Sequence, residues 1–275
     1  MNPQATATVA GVLPVATRTP TRRWPLLRHS LVLAKRGLIN IVRTPEALID
    51  VTLQPIIFLL MFTYIFGGAI SHGSTHAYLQ FLLPGILGQT IAMGGIAIGV
   101  NLNNDITKGI FDRFRSLPIA RSAPLIGAVL ADVVRYAILC VVTLGFGYLL
   151  GFRAHTGVPE VLAACGLSIA FALCLSWASV FVGMIARTAG SVQGIMTLIV
   201  LPLSFGSNTF VPTKTMPGWL QSFVHVNPLT HLVAAVRGLL LGGAVGSDVL
   251  WTLGWMGALL VVFVPLAMRA YRRRV

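Results

Sequence analysis

The sequence predicts an all-α polytopic membrane protein with six transmembrane helices, and three observations carry that prediction. Of its 275 residues 56% are hydrophobic and only 10% charged, with a mean hydropathy of +0.84, so too few charges exist to cover a water-soluble globule. Apolar runs of the length that crosses a hydrocarbon core, roughly twenty residues in a helix, recur along the chain. Lys and Arg gather between those runs, which is how a membrane protein sets its orientation. The same placement excludes nucleic acid as a partner for the net charge of +13, because no basic face on a soluble domain is available.

Residues 1–27, rich in Ala, Thr, Pro and Arg, lack an apolar core long enough for a signal peptide and read as a disordered, basic cytosolic tail. The remainder, 28–275, reads as one transmembrane domain. In HSLVLAKRGLINIV, residues 29–42, apolar positions recur at helical spacing beside Lys35, Arg36 and Asn40, which predicts a helix lying in the cytoplasmic interface. The first span is expected at about 49–70. A loop without Lys or Arg follows, and the second span, about 79–102, presents Gly85, Gly88, Gly94, Gly95 and Gly99, a small-residue surface for close packing.

The stretch from Asn103 to Pro124 carries dense mixed charge, with Asp105, Lys108, Asp112, Arg113, Arg115 and Arg121. A helical register brings Ile110, Phe111, Phe114 and Leu117 to one face, and Pro118 closes the run. Two readings remain open for it: a solvated connection, or a short amphipathic helix over 105–118 that seats in a partner's groove and passes on the partner's motion.

The third span is expected at 125–152. On it Asp132 and Arg135 lie three residues apart and are placed to pair within or just below the bilayer. The fourth, 161–186, has no charge, and the fifth covers 194–211. Met216 to Gly243 holds Pro217, Trp219, Asn227, Pro228 and Arg237 around an apolar stretch, Leu229 to Leu241, too short to cross. It reads as a re-entrant helical hairpin on the outer face, 213–245, before a sixth span at 249–268 and a cluster of arginines. Sixteen of the twenty Lys and Arg residues then fall inside and three outside, which puts both termini in the cytoplasm and the chain in the cell membrane. Counting Leu229 to Leu241 as a seventh crossing would leave the arginine-rich C-terminus outside.

The chain lacks the chemistry of an enzyme. It has no GxxxxGK[ST] phosphate loop, HExxH motif or nucleophile elbow, so no catalytic residue and no bound cofactor is expected. Cys140, Cys165 and Cys174 lie inside apolar runs without metal or disulfide spacing, and no histidine pair sits with a carboxylate at helical metal spacing. Asp50, Asp132 and Asp248 fall near span ends rather than at a midplane, which disfavours a proton-driven carrier. A transporter with neither ion site nor ATPase site receives its energy from a partner.

The order of elements, KGIFDRFRSLPIARSAPLIG after the second span and MPGWLQSFVHVNPLTHLVAAVRGLLLGG before the last resemble the membrane subunit of ABC type-2 transporters. Within that group the chain is most similar to the permeases of daunorubicin/doxorubicin resistance exporters of actinobacteria. The resemblance implies a coupling helix with Asp105, Lys108, Gly109, Ile110, Phe111, Arg113, Phe114, Arg115 and Pro118 toward the ATPase, residues 29–42 as a connecting helix beside it, and Trp219, Asn227, Pro228 and Arg237 in the extracellular hairpin. It implies two separate ATPase subunits that carry ATP and Mg, and a second permease, identical or related. The expected function is ATP-driven export of an amphipathic drug, antibiotic or lipid-like molecule past Phe58, Phe62, Met93, Phe205 and Asn208. The alternatives are export of a lipid-linked glycan or polysaccharide and an ATP-independent drug/proton carrier.

Overall fold

Breaks in the apolar pattern set the helix ends. The computed structural model describes residues 45–67, 75–109 and 123–274, so the basic tail, the interfacial helix of 29–42 and most of the charged stretch lie outside the described residues. Among the described residues every regular element is helical. Helix α1 is Pro45–Met61 and passes into a π-helical turn, Phe62–Phe66. Helices α2 (Thr75–Gly94) and α3 (Ile96–Thr107) follow each other through Gly95, then come α4 (Ala123–Leu149), α5 (Val158–Ile185) and α6 (Ala189–Phe205). A short 3-10 turn at Thr213–Thr215 precedes α7 (Gly218–Val226), α8 (Pro228–Leu241) and α9 (Gly246–Arg274).

Four described segments are long and apolar enough to cross a membrane: Thr75–Thr107, Asp132–Leu149, Val158–Ile185 and Gly246–Arg273. The pair α7 and α8, bent by 77° at Asn227, makes a fifth if taken as one broken span. Helices α1 and α6, counted as spans in the sequence, have 17 residues each, about 26 Å and the short end of what bridges a hydrocarbon core.

Boundaries differ from the expected ones for local reasons. Helix α6, expected as the fifth span, begins at Ala189, where the Thr188 side chain accepts from the Ser191 N–H at 3.2 Å as an N-cap, and it stops at Phe205. Residues 206–211, counted with the fifth span although the sequence turns irregular and semi-polar after Pro202, form a half-buried irregular loop in which Ser207 Oγ bonds to the Ser204 carbonyl and Thr209 Oγ1 (2.6 and 2.7 Å). The charged helix drawn at 105–118 does not start at Asp105. Residues 105–107 continue α3, and Gly109, in the left-handed region at φ 67°, ends it as a C-terminal glycine does.

The core forms around α2. That helix is apolar on every side, as suits one surrounded by others. Leu79, Leu82, Leu83, Ile86, Leu87 and Ile91 pack in one cluster with side chains of α4, α5 and α8. The expected glycine surface is what allows this. An added Cβ at Gly85 would lie 2.6 Å from the Thr209 carbonyl oxygen, one at Gly88 3.1 Å from Val233, and one at Gly94 3.2 Å from Leu139. At Gly99 it would collide with the Ser179 carbonyl of α5, and at Gly183 it would lie 2.6 Å from the Gly99 carbonyl oxygen. Helices α3 and α5 therefore cross at two facing glycines. In contrast, 78% of the most apolar window of Thr75–Thr107 is buried and only 6% of that in α9.

Candidate functional site

Three groups of side chains gather the residues singled out in the sequence. The first lies where α3 ends. Lys108 caps the helix, its N–H reaching the Asn104 carbonyl at 2.9 Å, and the Gly109 N–H bonds to the Ile106 carbonyl at 3.0 Å. One turn earlier buried Asn103 donates from Nδ2 to the carbonyls of Gly183 and Ala186, both at 2.9 Å, and so ties the end of α3 to the end of α5. Asp105, Lys108 and Gly109 stand at this end; Ile110, Phe111, Arg113, Phe114, Arg115 and Pro118 lie outside the described residues.

The second group is a row of aromatic rings. Phe58 stacks on Phe62 at 5.9 Å between centroids, Phe62 on Phe210 at 4.3 Å, and Phe210 on Phe205 at 5.0 Å. Three of the five residues expected along a substrate path thus meet through Phe210, which the sequence reading passed over because it lies in the irregular loop beyond α6. Met93 is not in the row; its sulfur accepts from Gln54 Nε2 of α1 at 3.6 Å. Asn208 lends its backbone carbonyl to Arg237 while its own Oδ1 is buried without a partner. Near this region an apolar-walled cavity of about 230 Å³ is bounded by Phe171, Met196, Leu203, Leu229, Trp255 and Phe263.

The third group orders the bent pair. Asn227, 2% exposed, accepts from the Leu229 N–H at 2.9 Å as the N-cap of α8, with Pro228 at the first helical position. Its Nδ2 donates to the carbonyls of Leu203 and Gly206 (2.7 and 2.8 Å), closing the end of α6. Arg237 lies with its guanidinium carbon 3.9 Å from the centroid of the Phe81 ring and donates to the carbonyls of Phe81 (3.2 and 3.3 Å) and Asn208 (3.0 Å). Helix α8 packs Leu232, Val233, Val236 and Leu240 fully inside, whereas Trp219 of α7 is 75% exposed. His231 Nδ1 lies 3.2 Å from Asp248 Oδ1, a contact the fold makes across 17 positions.

Asp132 and Arg135 form the ion pair that their spacing suggests, Nη2 to Oδ2 at 2.9 Å, both side chains buried. The three cysteines are free, and among the described residues no cluster of three or more His, Cys, Asp or Glu is arranged to hold a metal ion.

These features are those of a helical membrane subunit, and comparison with known proteins names its family. A family model described as ABC-2 type transporter matches residues 28–241. The chain belongs to the ABC-2 type transporter family. It is similar to the daunorubicin resistance ABC transporter permease protein DrrB1 of Streptomyces coeruleorubidus, 44% identical over 87% of this chain and 84% of that one. It is also similar to the probable doxorubicin resistance ABC transporter permease protein DrrC of Mycobacterium tuberculosis (28% identical, covering 89% and 88%). The putative transport permease ycf38 of Cyanophora paradoxa is 28% identical over 77% of this chain and 73% of its own. In ABC-2 terms the chain is a permease subunit of a transporter.

Proposed function

We propose that this ABC-2 permease is the membrane part of an ATP-driven exporter that moves an amphipathic drug or antibiotic out of the cell. The observation that carries the reading is its 44% identity, along most of both chains, to a permease named for daunorubicin resistance. Two separate ATPase subunits supply the energy; ATP and Mg are bound there, since this chain has no phosphate loop. A second permease, a copy or a related chain, completes the path through the bilayer. Six spans with both termini in the cytoplasm put Ile110, Phe111, Arg113, Phe114, Arg115 and Pro118 on the side of the ATPases, directly after the capped end of α3.

Closure of the ATPases on ATP moves that segment, and α3 is the first element to receive the motion. The ring row of Phe58, Phe62, Phe210 and Phe205 offers flat apolar faces to an aromatic substrate. The apolar wall of the cavity favours a second substrate class, an amphipathic lipid.

The test is copurification with the ATPase followed by ATP-dependent uptake into inverted vesicles, comparing daunorubicin with a fluorescent phospholipid. Daunorubicin uptake that requires ATP supports the drug reading, phospholipid uptake replaces it with the lipid one, and uptake driven by a proton gradient without ATP overturns both. Replacing Phe111 and Phe114 by Ala is expected to lower transport and substrate-stimulated ATP hydrolysis at least about fivefold at unchanged membrane level, a loss of about 1 kcal/mol in coupling. Unchanged transport removes this segment from the coupling path.

A further inference from the structure

We propose that Arg135 is a positioning residue for transport: it holds the bendable point of the span Thr75–Thr107 at Gly94–Gly95 and sets the direction of α3. The proposal rests on the permease reading above and adds to it the place where motion is divided. At this point the regular helix is interrupted. Gly95 keeps a helical conformation (φ −64°, ψ −17°), so the span runs on, but its N–H reaches back only to Ala92, at 3.2 Å, and two consecutive residues lack a side chain. Helices bend where glycines and a disturbed ladder coincide.

The side chain of Arg135 reaches across from α4 to that interruption. Its Nη2 donates to the Gly94 carbonyl at 2.6 Å and to Asp132 Oδ2 at 2.9 Å, so the carboxylate holds the guanidinium on the carbonyl. Its Nε is buried without a partner. A buried ion pair with an unsatisfied donor is a poor device for stability, and an arginine at the edge of a membrane-spanning segment is costly, so its position argues for a task. Next to it, the Tyr136 hydroxyl lies 2.7 Å from Ser176 Oγ of α5. A Cβ at Gly94 would come within 3.3 Å of the Tyr136 ring, and one at Gly95 within 3.5 Å of Ser176 Oγ. Three helices therefore meet on this one interruption. Beyond it α3 acts as an arm: a bend of about 10° at Gly95 displaces Thr107, about 18 Å further along, by about 3 Å.

The test uses the full chain in lipid discs and the complex with its ATPase in inverted vesicles, reading amide exchange at residues 92–99 and daunorubicin moved per ATP hydrolysed. Removing both charges together, Asp132→Asn with Arg135→Gln, avoids leaving one buried ion alone. Expected are at least tenfold faster exchange and at least fivefold less daunorubicin per ATP, with KM for daunorubicin unchanged and substantial recovery with Arg135→Lys. Gly95→Ala keeps Arg135 and sets its methyl group 3.3 Å from the Ala92 carbonyl oxygen and 3.5 Å from Ser176 Oγ, a tight fit that stiffens the point; it is expected to slow exchange and lower transport per ATP. Wild-type exchange and wild-type transport per ATP in the double variant overturn the proposal. If that variant does not accumulate, Gly95→Ala with both readouts at wild-type values overturns it. Wild-type vesicles that take up no daunorubicin with ATP count against the permease reading, while exchange at 92–99 in the discs still decides whether Arg135 holds the span.

Discussion

Asn227 joins three parts of the fold through one buried side chain. It caps α8, closes α6 through two carbonyls 21 and 24 positions away, and stands at the 77° bend. Asn227→Ala removes all three bonds. Allowing about 1 kcal/mol for the cap and about 0.6 for each bond inside a membrane protein, the loss is expected at about 2 kcal/mol, read as a fall in unfolding midpoint in detergent. Asn227→Asp keeps the cap but cannot donate to the two carbonyls, and is expected to be at least as damaging. Asn-Pro before an apolar run carries the signal of such a cap, though the sequence reading placed Asn227 only in the hairpin. The two carbonyls were not legible, because no local pattern reports where a distant helix will end. The same limit hid Phe210. It is 6% exposed, so Phe210→Ala is expected to cost about 3 kcal/mol, while Phe205→Ala, at a ring 48% exposed, costs clearly less.

Among the elements, α2 and α3 show how apolar composition and glycine spacing act together. The apolar runs read as spans are helical in α2 to α6 and α9, with ends displaced by up to six residues, since an apolar run of that length has little choice but to be helical in a bilayer. The glycine surface likewise predicted close packing. What it could not give was the partner at each step: the 206–212 loop at Gly85, α8 at Gly88, α4 at Gly94 and α5 at Gly99. A pair of alanine substitutions separates the cases. Gly99→Ala forces a methyl onto the Ser179 carbonyl, backbone against backbone, and is expected to destabilise by about 1 to 3 kcal/mol. Gly166→Ala on α5 meets nothing within 4 Å and is expected to leave the unfolding midpoint unchanged or raised. The start of the charged helix was set too early, at Asp105, because no local pattern shows that residues 105–107 finish α3 and that Gly109, at positive φ, is its stop signal.

For the whole molecule, orientation is the property that charge distribution predicts most firmly and that side-chain labelling tests directly. With Cys140, Cys165 and Cys174 replaced, a cysteine at the exposed Trp219 is expected to react with a membrane-impermeant maleimide in intact cells, and one at Arg273 only after permeabilisation. With the N-terminus in the cytoplasm, the reverse pattern would require an even number of crossings before α9. Of the candidate path, the sequence revealed the residue types but not their arrangement, because aromatic and apolar residues fill every span and only the fold shows which rings touch. Helix α9 carries a last consequence. Its 29 residues make a rod of about 43 Å, the thickness of a bilayer with its headgroups, with Arg269, Arg272 and Arg273 in its final turns and most of its surface facing away from the protein. A rod of that length is expected to act as a depth gauge, its arginines at the lipid phosphates, so that any rise or tilt would drag charge toward hydrocarbon.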